Sequence, residues 1–388
     1  MGWLCDAPTL KNAGWTSIDA WQPEAFTFFN ILTSALFCAS TLLIVAVIFL
    51  LLRADERKSS RDAVFAGLCA LLLANIHTYD ILHIASAWGT YLVARSLAER
   101  RVDWSAWGRA AMAGAICSPA AAYQLYLFRT DPVFHARVGV MTLSPSFAAY
   151  VLGYGPTLLF AVLALALFLG CQGFRRIWRN ESTFLMLSCW VIATFVLIYA
   201  PCSFQRKMIM GIHIPLCLLG GSATAYAGQA CAIRLKRIPA FLVPLFVVAL
   251  SVPVSLTNIA NLIRDMNSQK LCRSFLTADD QRLFNWISRN TRPSDSLIGD
   301  PSLMLFVPAY CDRDVWCGHW GETPNFVEKA KACILLSEGK VLNSREFLAG
   351  TGAHFLVWPN VLGKTLPRDA AVLRAVYTNA TYTIYEIK

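Results

Sequence analysis

Long stretches of the chain carry no charge at all. Residues 25–52 are uncharged, and further runs cover 110–128, 138–174, 183–204, 208–233 and 240–263. A helix of roughly 20 apolar residues crosses a ~30 Å hydrocarbon core, so each run is long enough to span one. Residues 63–94 form another apolar stretch, broken only by His77, Asp80 and His83. As one helix it would reach about 48 Å, well beyond the core. A turn back at 77–79 makes two short helices instead. The pattern predicts an α-helical polytopic membrane bundle of about eight helices, near 26–52, 63–76, 79–94, 108–128, 149–170, 183–201, 210–233 and 240–263.

From Arg264 the pattern becomes that of a soluble chain. Thr277 can cap a helix through Arg289, with Asp280 at its third position and Leu283, Phe284 and Ile287 facing inward. Residues 296–300, 314–317 and 354–358 read as short buried strands, and 382–387 alternates with period two like a half-exposed edge strand. Pro324 opens a helix that carries Val327, Ala330, Cys333 and Ile334 on one face and stops at Gly339. Helices interleaved with strands predict a small α/β domain. The expected organisation is an outward segment 1–25, a transmembrane domain 26–263 and an α/β domain 264–388. The α/β domain has no glycine-rich phosphate loop and no Gly-x-Ser-x-Gly elbow.

Composition agrees with the pattern. Hydrophobic residues make up 56% of the chain and charged residues 15%, against ~45–50% and ~25% in soluble domains. A cytosolic enzyme and a disulfide-stapled secreted module are excluded. The net charge of +10 raises nucleic acid as a partner, and its location decides against it. Residues 264–388 hold 15 Lys and Arg against 13 Asp and Glu, which leaves a surplus of +8 elsewhere. That surplus sits in short loops at Arg53, Arg57, Lys58 and Arg61, and at Arg95, Arg100, Arg101 and Arg109. Arg175, Arg176 and Arg179 form a third cluster, and Arg234, Lys236 and Arg237 a fourth. Basic short loops mark the cytoplasmic side. With a turn at 77–79 all four clusters share that side. The 1–25 segment, the 129–148 and 201–209 loops and the α/β domain then face outward.

The 1–25 segment has no signal peptide. Its Trp3, Pro8, Trp15, Trp21 and Pro23 read like an interfacial loop between two helices, so further helices are expected upstream. The thirteen cysteines show no zinc-ligand spacing. Cys311 and Cys317 are either a disulfide formed in an oxidising compartment or two ordinary strand cysteines.

Ionisable groups within membrane spans are rare and usually line a cavity or pathway. The segment His77-Thr78-Tyr79-Asp80-Ile81-Leu82-His83 places three of them at the outer boundary. On a helix starting at Tyr79, Asp80 and His83 share a face. A carboxylate beside an imidazole there can orient a polar substrate or take a proton. The plainer reading makes Asp80 a helix cap and the histidines hydrogen-bonded parts of the bundle.

A second segment, Pro201-Cys202-Ser203-Phe204-Gln205-Arg206-Lys207, sets adjacent cations on the outward side, with His213 one to two turns beyond. Cations there call for an anion, and a phosphate at headgroup depth suits them. Arg206 can grip phosphate oxygens in a bidentate fork while Lys207 supplies a point charge, with Gln205 beside them. The plainer reading is headgroup contact by snorkelling side chains. In a third segment, Gly318-His319-Trp320-Gly321-Glu322-Thr323, Trp320 can stack on a sugar face and Glu322 accept from its hydroxyls. It reads equally as a structural turn with Glu322 near a helix N-terminus. Asp131, Phe134 and His135 are further candidates in the 129–148 loop.

Together these features resemble the GT-C class of multi-pass membrane glycosyltransferases, in particular bacterial members related to the protein O-mannosyltransferase and aminoarabinose-transferase families. The likeness rests on His77-x-Tyr79-Asp80 and on Tyr199-x-Pro201-x-x-x-Gln205-Arg206-Lys207 leading into Gly211-x-x-x-Pro215-Leu216. With the outward α/β domain it covers most of the chain. The resemblance implies sugar transfer from a polyprenyl-phosphate-linked donor at the outer face of a bacterial cytoplasmic (inner) membrane, with no nucleotide or other cofactor. It would give the proton chemistry to Asp80, His77 and His83, and the lipid phosphate to Gln205, Arg206 and Lys207. Tyr79, His319, Trp320 and Glu322 would hold substrate.

One departure matters. In that class the catalytic acid sits on the first outward loop and the helix count is usually eleven or more. No residue here matches that acid. The base then lies upstream, which is the preferred reading, or Asp80 has its role, or the chain is inactive. The competing class is a non-catalytic or transport-type membrane protein that binds a lipid phosphate. No inverted repeat between 26–128 and 149–263 favours transport.

Overall fold

The computed structural model describes residues 17–132, 134, 135, 141–178, 181–236, 239–268, 275–341, 343–360 and 373–387. Trp3, Pro8, Trp15, Arg179 and Arg237 lie outside the described residues. The chain divides into two units, one of residues 1–129 and 140–260 and one of residues 130–139 and 261–388.

The first unit is helical. Two 3-10 turns, Ile18–Ala20 and Pro23–Ala25, lead into α1 (Thr27–Thr33), α2 (Ala35–Glu56), α3 (Ser60–Ile76), α4 (Tyr79–Glu99) and α5 (Trp104–Thr130). Then follow α6 (Phe147–Gly170), α7 (Gln172–Arg175), α8 (Glu181–Leu197), a 3-10 turn Gln205–Ile209, α9 (His213–Leu235) and α10 (Leu242–Ser268). Among the described residues four stretches are long and apolar enough to cross a membrane: Ala35–Glu56, Phe147–Gly170, Gln205–Leu235 and Leu242–Arg264. The helices α3, α4, α5 and α8 occupy the other expected positions but are too short or too polar for that standard. A 17-residue helix such as α3 or α8 rises only about 26 Å. The expected helix near 26–52 is also two helices. Ser34 is extended between them, and its Oγ accepts from Phe37 N to start α2. Large apolar side chains of α10, such as Phe246 at 64% and Leu256 at 59% exposure, face away from the unit, the behaviour of a helix solvated by lipid.

Ion pairs fix the course of residues 60–99. Asp55, at the end of α2, accepts from Arg95 and, at 2.6 Å, from Arg109 Nη2. Lys58 Nζ lies 3.1 Å from Asp103, and Arg53 pairs with Asp62 at 2.5 Å. The end of α2, the start of α3, the end of α4 and the start of α5 therefore meet. The chain leaves along α3, breaks at His77 and Thr78, and returns along α4. This gathers the first two basic clusters at one end, where acids match many of their charges.

The second unit is a five-stranded mixed sheet of order β2-β1-β3-β5-β4. Its elements are α11 (Ala278–Asn290), β1 (Ser296–Ile298), α12 (Pro301–Met304), α13 (Val307–Cys311), β2 (Asp314–Val315), α14 (Phe326–Ser337), α15 (Ser344–Thr351), β3 (Phe355–Pro359), β4 (Leu373–Thr378) and β5 (Tyr382–Ile387). β1 runs parallel to β2 and β3, and β5 lies antiparallel between β3 and β4. The capping box of Thr277 and Asp280 starts α11 and buries Leu283, Phe284 and Ile287.

Three details differ from the sequence reading. Residues 382–387 are an interior strand, because β4 covers their outer side. On α14 the inward positions are Cys333 and Leu336, while Val327 and Ile334 are exposed. Cys311 packs with α11 and α12 in one cluster, whereas Cys317 packs with α14, α15 and Trp358 in another. Separate packing layers keep these two sulfurs from pairing.

Candidate functional site

Residues 17–25 are drawn into the first unit. Ile18 is fully buried against Gly153, where a Cβ would fall 2.2 Å from Ile18 Cγ1, so only glycine admits the contact. Tyr154 Oη donates to Ala25 O at 3.1 Å, and Asn258 Nδ2 to Asp19 O at 3.0 Å. Pro23 at the start of its 3-10 turn presets the backbone bend. These anchors carry Gln22 and Glu24 inside, at 0% and 6% exposure. The sequence reading placed both in an outward loop and missed them. An acid beside Trp21 and Pro23 in a stretch with few charges was the available signal.

The 201–212 loop is pinned to residues 142–144. Thr142 N donates to Ser203 O at 2.6 Å, and Arg206 N to Thr142 O at 3.0 Å. Gln205 Oε1 accepts from Ser144 N, and its Nε2 donates to Ala200 O. Both ends of the Gln205 amide are thus engaged in holding the loop. Gly211, at φ +82° and with Trp190 3.3 Å from a would-be Cβ, turns the chain into α9.

With the loop held, its two cations meet the other candidates. Arg206 Nη2 lies 3.9 Å from Glu24 Oε1, and its guanidinium sits 5.2 Å over the Trp21 ring. Lys207 Nζ lies 5.5 Å over the Tyr79 ring, which packs 4.7 Å from Phe204 and 5.6 Å from His77. His77 Nδ1 is 3.0 Å from Asp80 Oδ2. The two segments therefore form one continuous cluster, Glu24–Arg206–Lys207–Tyr79–His77–Asp80. Next to it His213 stacks on Tyr154 and packs on Phe26. These three line a cavity of about 110 Å³ with Asp19, Ser251 and Asn258.

The expected Asp80–His83 couple does not form. Asp80, in the first turn of α4, reaches back to His77, while His83 faces α8. Trp190 Nε1 can only donate, so His83 Nε2 accepts from it at 2.8 Å and the ring proton sits on Nδ1. His83 is held as a neutral member of the bundle.

The third segment lies in the second unit. Gly318 N donates to Thr323 Oγ1 and Gly321 N to His319 Nδ1, which closes a turn. His319 and Trp320 pack ring to ring at 5.6 Å, Glu322 Oε1 lies 4.0 Å from His319 Nδ1, and Trp320 is exposed. Asp131 accepts from Phe134 N and from His135 N, a local turn.

Burial gives this cluster its chemical interest. Asp80 is fully buried, and its contacts with His77 and Ser40 are not well-directed hydrogen bonds. Glu24 Oε2, Asn30 Oδ1 and Arg206 Nε reach no hydrogen-bond partner among the described residues. Each such buried group costs about 1–3 kcal/mol, and a native cluster of them calls for an explanation such as a ligand or ordered water. A carboxylate beside an imidazole can move a proton, and a guanidinium with an ammonium can hold an anion. The sequence matches no protein-family model, and no curated protein matches it.

Proposed function

We propose that the chain is a polytopic membrane glycosyltransferase with about eight membrane helices, which moves a sugar from a polyprenyl-phosphate-linked donor to an acceptor hydroxyl at the outer face of a bacterial cytoplasmic membrane. The observation that carries this reading is the joining of Asp80 and His77 with Arg206 and Lys207 through Tyr79. A transferase of this kind needs a base for the acceptor and cations for the departing phosphate, and here they share one cluster.

In this reading Arg206 and Lys207 bind the lipid phosphate and stabilise its charge as the bond to the anomeric carbon breaks. Glu24, at 3.9 Å, is close enough to orient the guanidinium yet too far to occupy its N–H groups. Asp80 takes the acceptor proton, and His77 holds that carboxylate in place. The helices α3 and α4 are then a short hairpin entering from the cytoplasmic side, and the second unit is extracytoplasmic. On this reading its His319, Trp320 and Glu322 bind a saccharide.

The test is sugar transfer from polyprenyl-phosphate-linked donors by membranes containing the full chain. Arg206→Ala should raise the donor KM by about 10- to 100-fold, from loss of a charged hydrogen bond of ~1.5–3 kcal/mol. Asp80→Asn should lower kcat by ~10²–10⁴ with donor KM little changed. Equal transfer by both variants and the parent, or chemical labelling that finds residues 201–209 on the cytoplasmic face, would sink the proposal.

A further inference from the structure

Two cysteines of the second unit face each other. Cys317 follows β2 and Cys333 lies on α14, and both are buried in the same side-chain layer as Ile298, Leu348 and Trp358. The first turn of α14 is fastened beside Cys317: Lys329 Nζ donates to Trp316 O at 3.2 Å and lies 5.2 Å over the Trp316 ring. Cys333 is one turn further along the same side of the helix, and its thiol is in hydrogen-bonding contact with Cys317. That bond, helped by the Lys329 ammonium, holds the Cys317 thiol below its usual range and raises that of Cys333. Cys333 also lines a cavity of about 240 Å³ with Gly299, Asp300, Ser337, Trp358 and Pro359. A reagent in that cavity meets Cys333 first.

We infer that Cys317 and Cys333 are a redox-active dithiol, converted to a disulfide by exchange with a small-molecule disulfide that enters this cavity. The Cys333 sulfur loses its proton and attacks one sulfur of R–S–S–R, which breaks the S–S bond and releases one R–S⁻ to take up that proton. Cys317 then gives up its proton and attacks the Cys333 sulfur of the mixed disulfide, which breaks that S–S bond and expels the second R–S⁻ to take up the proton from Cys317. The protein thiols give up two electrons, and two R–SH result. The new bond ties the base of the 318–323 turn, with His319, Trp320 and Glu322, to α14. None of this rests on the transferase reading.

The experiment treats the full chain in membranes with glutathione disulfide, alkylates remaining thiols after denaturation, and maps unreduced peptides by mass spectrometry. The expected product is a peptide joining Cys317 to Cys333, with Cys311 alkylated. Recovery of both as alkylated thiols, persistent glutathione on either, or a Cys311–Cys317 link would overturn the inference. In the Cys317→Ser protein the second step is blocked, so glutathione should remain on Cys333. The mapping of the unaltered chain decides the matter even if that variant folds poorly.

Discussion

α4 starts in one polar region and ends in another, and the two are built on different terms. Asp80 in its first turn and Arg95 one turn short of its end are about 22 Å apart along the axis. Around Arg95 every carboxylate is matched: Asp55 by Arg95 and Arg109, Asp62 by Arg53, Asp103 by Lys58. Among the described residues, guanidinium Nε atoms of Arg53 and Arg109 are left over. Around Asp80 the carboxylate is buried with one imidazole, and among the described residues Glu24 keeps an oxygen and Arg206 an Nε without a hydrogen-bond partner. A matched network holds four helix ends together. An unmatched buried one weakens the fold and persists only where something else uses it.

The sharpest way to break this comparison is to remove one acid from each region. Asp55→Ala strands two arginines, Arg109 at 8% exposure and Arg95 partly buried. Breaking a buried pair by deleting one partner costs about 3–5 kcal/mol. Thermal unfolding of the purified chain in detergent should show that loss. Asp80→Asn replaces a buried carboxyl that has little to compensate it, so its unfolding temperature should stay level or rise while transfer is lost. If Asp80→Asn unfolds as early as Asp55→Ala, the two regions are built alike and the functional reading of the Asp80 region fails.

His83 sits between these extremes, with Nε2 satisfied by Trp190 and Nδ1 without a partner among the described residues. Trp190→Phe deletes the indole donor to that ring, leaves the Thr194 hydroxyl 2.8 Å from the same nitrogen, and should cost about 1–3 kcal/mol, again read by thermal unfolding. Transfer measured at matched folded fraction should not change, since His83 faces α8 rather than the cluster. A lost activity with intact stability would move His83 to the Asp80 site.

The sequence announced these regions unevenly. Helix positions and the break at 77–79 followed from hydropathy and length, because both are local properties. The Thr277 capping box and four of the five strands were equally readable from residues close in sequence. The cations at 206 and 207 stood out against the charge trend. What stayed hidden depended on contacts distant in sequence. Glu24 meets Arg206 only because residues 17–25 pack on α6. Asp80 chose His77 over His83, since α4 turns one histidine toward α8 and leaves the other at the break. The pairing of Asp55 with Arg95 and Arg109 spans 40 and 54 positions, and the basic surplus masked it. β4 was missed because its alternation is diluted by Arg374 and by an irregularity between Ala375 and Tyr377.

The smallest test concerns how the matched region responds to acid. Asp103, in the loop between α4 and α5, accepts from the Ser105 hydroxyl, from Lys58 Nζ and from Ala106 N. The Ser105 bond first, then Lys58, hold its carboxyl well below the usual carboxylate range. The unfolded chain therefore takes up this proton before the folded one does. The stabilisation is complete above the ordinary carboxylate pKa of about 4 and disappears as pH falls toward the depressed folded value. The side chain is 24% exposed, so screening limits the effect to about 1 kcal/mol or less. Urea unfolding at stepped pH should show the unaltered chain losing this much more stability below pH ~4 than Asp103→Asn. Because other carboxylates titrate in the same window, the difference between the two curves carries the test. Superimposable slopes would mean that Lys58 and Ser105 do not grip Asp103, and that the Arg95 region is less closely matched than its ion pairs imply.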